Sequence, residues 1–144
     1  MGDSTFSIEP FLGTWELDPA QCEYEMGAPP ARGMYQLLRE NPASDEITVA
    51  MDWTDAAGKD FHMVYAMTPD GQDHAYADSP AVDAIQTTLL DARTLETLSK
   101  KNGTILARGL RELSDDGKAM RVIQTGKTPD GAEFANVALY WKRA

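Results

Sequence analysis

The sequence predicts an all-β fold: a single up-and-down antiparallel β-barrel of about ten strands (8–10) occupying residues 1–144. Glycine-ended turn signals recur at Asp55-Ala56-Ala57-Gly58-Lys59, Pro69-Asp70-Gly71, Lys101-Asn102-Gly103, Asp115-Asp116-Gly117-Lys118 and Pro129-Asp130-Gly131. Between them lie β-branched, Met and aromatic residues that hold no sustained helical period. Hairpins strung in this way make a meander, and closing it removes the exposed edges.

The first strand is expected near 12–18. Residues 19–33, with Pro19, Gly27, Pro29, Pro30 and Gly33, suit no strand and predict an irregular loop, a candidate lid. Further strands are expected near 34–40, 46–54, 60–68, 72–77, 84–90, 94–100, 104–113, 119–127 and 133–142.

Composition excludes more than it names. At 42% hydrophobic and 25% charged residues the chain reads as globular. A net charge of −10 argues against nucleic acid or an anionic membrane surface as partner. Cys22 is the sole cysteine, so an intrachain disulfide and a thiolate metal cage are both excluded. No apolar run has the length of a membrane span. The start, Met1 to Phe6, has no signal-peptide character, so a cytoplasmic protein is expected. Removal of a signal peptide would leave a periplasmic or secreted location open.

Period 2 fixes hairpin register, because apolar residues must share one face. A three-residue loop at Ala56-Ala57-Gly58 sets Trp53 opposite Phe61, Met51 opposite Met63, Val49 opposite Tyr65 and Ile47 opposite Met67. A three-residue loop at Asp115-Asp116-Gly117 sets Arg108 opposite Gln124, Leu110 opposite Val122 and Glu112 opposite Met120. The Pro129-Asp130-Gly131 hairpin sets Gln124 opposite Asn136, Val122 opposite Ala138 and Met120 opposite Tyr140. The apolar face then carries a polar row, Arg108–Gln124–Asn136, near Tyr140. The other face carries Arg111 beside Arg121, like charges that belong outside. A two-residue type I′ turn at Asn102-Gly103 sets Thr97 opposite Arg108, with Leu95 and Ser99 inside. A three-residue loop there would instead give a buried Glu96–Arg108 pair.

Phe11-Leu12-Gly13-Thr14-Trp15-Glu16-Leu17 opens the meander and Tyr140-Trp141-Lys142-Arg143 closes it. In this the chain resembles the calycin superfamily: the lipocalins, the fatty-acid-binding proteins and their small bacterial relatives. The resemblance implies a barrel with Gly-x-Trp in its first strand and a basic residue, Arg143 or Lys142, packed across Trp15. The turn count suits the ten-strand, fatty-acid-binding-like variant. Fatty-acid-binding proteins commonly end in Arg-x-Tyr, which holds the ligand carboxylate. Here Ala138-Leu139-Tyr140 keeps the Tyr and lacks the Arg.

The expected function is binding of a small, largely apolar ligand, with or without an anionic group, inside the barrel. The expected ligand-binding residues are Arg108, Gln124, Asn136 and Tyr140, with Trp53, Met51, Met63 and Tyr65 as an adaptable apolar lining. No catalytic residue, metal or cofactor is assigned. The same register turns His62 and His74 outward and, with Ala66 opposite His74, places them too far apart to share an ion. Two alternatives stay open: an isomerase- or cyclase-type enzyme using interior Arg and Tyr, and a solid barrel serving as an interaction module. An outward stripe of Val137, Leu139 and Trp141 suggests a homodimer contact.

Overall fold

The computed structural model describes residues 7–128 and 130–143, without the side chains of 77–79; Met1 to Phe6, Pro129 and Ala144 lie outside it. A 3-10 turn, Glu9–Phe11, precedes ten antiparallel strands. They are β1 (Gly13–Tyr24), β2 (Arg32–Leu38), β3 (Ile47–Thr54), β4 (Asp60–Met67), β5 (Asp73–Ser79), β6 (Val82–Asp91), β7 (Thr94–Lys101), β8 (Thr104–Leu113), β9 (Ala119–Lys127) and β10 (Glu133–Lys142). One sheet runs β4-β3-β2-β1-β10-β9-β8-β7-β6-β5. It curls into a barrel closed everywhere except at the seam between β4 and β5. The expected pairing of Ala66 with His74 across that seam is therefore corrected: β4 and β5 are the two edges.

Two hairpins follow the predicted register. Trp53 faces Phe61 and Met51 faces Met63; Gln124 faces Asn136 and Met120 faces Tyr140. The Trp53 and Phe61 rings stack, 5.1 Å between centroids.

Strand β8 is inverted relative to expectation, and two offsets cause it. At its start, Asn102 and Gly103 take positive φ (51° and 81°) and close the expected type I′ turn, Lys101 opposite Thr104. The register then slips at Leu106, so Ser99 meets Ala107 and Thr97 meets Gly109. At its end the loop holds four residues, Asp115–Lys118, not three. The Ser114 N–H donates to the Ala119 carbonyl at 2.9 Å, and the Ser114 hydroxyl donates to the Asp116 carboxylate at 2.7 Å. Arg111 thus pairs with Val122, Glu112 with Arg121 and Arg108 with Thr125. The two one-residue offsets cancel beyond β8, so its neighbours keep their predicted faces while β8 alone turns over.

The expected loop at 19–33 also shrinks. β1 continues past Pro19 to Tyr24 through an irregularity between Asp18 and Glu23, where a residue without an N–H is tolerated. Residues 25–31 remain as the connection.

The core fills one end of the barrel. Phe11, on the 3-10 turn, plugs that end together with Ile8, Trp15, Leu37, Ile47, Val49, Leu95, Leu113 and Met120. Trp15 is wholly buried, donates its indole N–H to the Phe11 carbonyl at 3.0 Å, and carries the Lys142 ammonium 5.3 Å above its ring. Lys142 fills the role that the resemblance offered to Lys142 or Arg143; Arg143 instead pairs with Glu16 outside. Trp141, outward on β10 as expected, is 47% exposed and donates its indole N–H to Asp18.

Candidate functional site

Beyond the plug the interior is hollow. Its charged member is Arg111, the residue that β8's inversion turns inward. It is 6% exposed. One terminal nitrogen donates to the Tyr65 hydroxyl at 3.3 Å and the other to the Thr97 hydroxyl at 3.4 Å. The guanidinium lies 5.2 Å from the centroid of the Tyr35 ring. Its Nε–H is buried with no partner, and so is the Thr87 hydroxyl on β6. Among the described residues no carboxylate pairs with Arg111. Burial opposes its charge, but the Tyr65 and Tyr35 phenols outweigh this and the net shift is upward, so Arg111 stays a cation.

The tyrosines complete the setting. Tyr35 and Tyr140 meet edge to face, 4.9 Å between centroids. Burial pushes both phenols above their ordinary range, and the Arg111 charge pulls both the other way without reversing it.

A cavity of about 310 Å³ reaches from Arg111 toward the seam and the open end, with Tyr35, Met51, Tyr65, Thr97, Gly109 and Gln124 in its wall. A second, of about 180 Å³, lies on the β1–β3 side and shares Tyr35, Met51, Val122 and Gln124 with the first.

Most of the residues expected at the site border these cavities. Met51, Met63, Tyr65 and Gln124 line the larger one. Trp53, Asn136 and Tyr140 line the smaller. Met63 faces inward opposite Met51 and is still 39% exposed, because it sits on the edge strand β4.

Two expectations need correction. Arg108 borders the larger cavity, but its side chain is exposed on the outside of β8, where it donates to Glu96 at 2.5 Å. It cannot serve as the interior cation, and Arg111 replaces it. Asn136 faces inward but is occupied. Its carbonyl oxygen accepts from the Glu25 and Met26 amides at 2.9 and 3.0 Å, and its amide donates to the Met26 carbonyl at 3.0 Å. It fastens the 25–31 connection at the open end. Outside the barrel, His62 meets Asp52 at 2.5 Å and His74 meets Asp70 at 3.0 Å, both pairs exposed.

One sequence signal could have found Arg111. With the four-residue loop Glu112 stands opposite Arg121, a favourable cross-strand pair now seen at 3.1 Å. The three-residue loop offers no such match.

No family model and no curated protein matches the chain. Solved structures do. A Schistosoma mansoni fatty acid binding protein in complex with arachidonic acid superposes with a TM-score of 0.60 at 13% identity, covering 96% of this chain and 99% of that one. Zebrafish ileal bile acid-binding protein complexed with cholic acid gives 0.57 at 13% identity, covering 93% and 99%. A protein designated EF1p2_mFAP2b, bound to DFHBI, gives 0.53 at 13% identity, covering 94% and 95%. At such identity the likeness concerns fold alone: this chain has a near-closed, ten-stranded antiparallel barrel of the shape seen in these fatty-acid- and bile-acid-binding proteins.

Proposed function

We propose that the protein binds a small amphiphile, holding its apolar body in the cavity and an anionic group against Arg111. The observation that carries this reading is the buried guanidinium without a carboxylate partner, its Nε–H unpaired, at the wall of a 310 Å³ cavity. Burying a charge without full compensation is costly, and a ligand anion supplies the missing partner. The cavity volume falls in the range of small-molecule sites and speaks against a solid barrel. The neighbouring structures, with arachidonic acid, cholic acid and DFHBI, support ligand binding in a barrel of this shape.

Arg111→Met keeps much of the volume and removes the charge. Stability is expected to hold or rise, while affinity for a carboxylate falls by about 1.5–3 kcal/mol relative to the neutral amide of the same shape. Titration calorimetry with both compounds reads the difference. Equal losses for acid and amide would reject an anion at Arg111.

A further inference from the structure

The glycine at position 109 has no internal reason to be there. It sits in the middle of β8, where glycine weakens a strand. Its φ is not in the left-handed region, and a Cβ built on it would meet only the Thr97 carbonyl oxygen, at 4.0 Å. Every other described glycine either takes positive φ or, like Gly33 and Gly126, would bring a Cβ within 3.4 Å of a neighbouring side chain. The space at Gly109 is thus left open by the protein rather than used by it.

That space belongs to a smooth wall. Thr97 pairs with Gly109 and Ser99 with Ala107, so between Arg111 and the open end the inner surface of β7–β8 is a patch of small side chains beside the cavity. Tyr35 and Tyr65, from β2 and β4, border the same cavity. Arg111, the next inward position along β8, joins the two sides: it reaches the Tyr65 hydroxyl and lies over the Tyr35 ring. Its Nε–H, buried and unpaired, is an unmet donor at that end.

From this we infer that the cavity is a slot for a flat, rigid anion, an aromatic carboxylate, and that Gly109 is the residue that sets its specificity. The inference rests on the binding reading above and narrows its ligand class. A planar ring gains dispersion contact across a wall of small residues and stacks against tyrosines. It also surrenders little conformational freedom on binding, whereas a flexible acyl chain gives up many rotamers to lie against the same wall. The carboxylate at one edge meets the guanidinium in a charge-assisted hydrogen bond.

The test compares naphthoate with undecanoate, a straight-chain acid of the same carbon count, by titration calorimetry on the wild-type protein, Gly109→Ala and Gly109→Val. Valine suits a strand, so the thermal midpoint of Gly109→Val is expected to hold or rise while its side chain fills the slot. Wild-type protein should bind naphthoate about tenfold or more tighter than undecanoate, and Gly109→Val should erase that preference. If Gly109→Val does not fold, Gly109→Ala must lower naphthoate affinity more than undecanoate affinity. Undecanoate binding as well as naphthoate, or equal losses for both acids in the variants, would overturn the slot and leave the binding reading standing. Failure of both acids to bind wild-type protein would overturn both.

Discussion

Trp15 is bound from three sides: its ring is buried among Phe11, Leu37 and the rest of the plug, its N–H is spent on the Phe11 carbonyl, and Lys142 covers its face. A side chain so enclosed leaves a cavity when truncated, because the surrounding strands cannot collapse onto it. Trp15→Ala is therefore expected to cost about 3–5 kcal/mol in urea denaturation; a loss under about 1 kcal/mol would mean that the plug does not depend on it. Trp15 was legible from its place in Phe11-Leu12-Gly13-Thr14-Trp15. The interior cation was not. Arg108 and Arg111 lie three positions apart on one strand, on opposite faces, so a single residue of register decides which of them enters the barrel. Like charges avoid each other inside, and the three-residue loop makes Arg111 and Arg121 such a pair. In the folded chain they do not pair: Arg121 meets Glu112 outside and Arg111 meets Val122 inside.

Strand β8 shows what element-level reading can and cannot reach. The strands on either side of it lie on the faces the sequence predicts for two different reasons: the Pro-Asp-Gly signal sets the β9–β10 register, while β7 keeps its face because the two one-residue offsets of β8 cancel. The slip at Leu106 has no glycine to announce it, and the 43% exposed leucine there gives no pattern break. The four-residue loop was hidden by side-chain chemistry: the Ser114 hydroxyl and Asp116 carboxylate bind the loop backbone and make room for Lys118. The 25–31 connection is a second case. The sequence predicts an irregular loop over 19–33, a candidate lid, yet the near end of the connection is held by hydrogen bonds to Asn136, a residue expected at the ligand. Asn136→Ala removes the acceptor of the Glu25 and Met26 amides. Hydrogen exchange at Met26 should then speed by roughly five- to tenfold, the equivalent of about 1–1.4 kcal/mol, while β9 amides are unchanged. Unchanged exchange at Met26 would show that the clamp does not hold the connection in solution.

At the scale of the whole molecule the barrel stores its titratable groups in two places, and pH should reveal both. Turn carboxylates sit on the outside: the Arg93 N–H holds Asp91, the Ser114 hydroxyl holds Asp116, and the Thr128 hydroxyl holds Asp130, each below the ordinary 3.8. A lowered folded value contributes stability that is present above 3.8 and is lost as pH falls through the folded values. Phenols and the thiol sit in the wall and interior: burial raises Tyr24, Tyr35 and Tyr140 above 10.0 and Cys22 above 9.0. For these the sign reverses. Below the ordinary values both states are neutral; above them the unfolded chain releases protons that the barrel retains, so stability falls as pH rises. These groups predict a plateau through neutral pH with an acid limb and a steeper alkaline limb. Burial raises the Tyr140 phenol well above 10.0, so Tyr140→Phe isolates one proton of the alkaline limb. In urea titrations above pH 10.0 the variant's stability should fall less steeply than the wild type's, by up to about 1.4 kcal/mol per pH unit. An alkaline limb of unchanged slope would mean that Tyr140 ionises inside the barrel as readily as in the unfolded chain. The phenol would then reach water, and the smaller cavity it lines would be open to solvent.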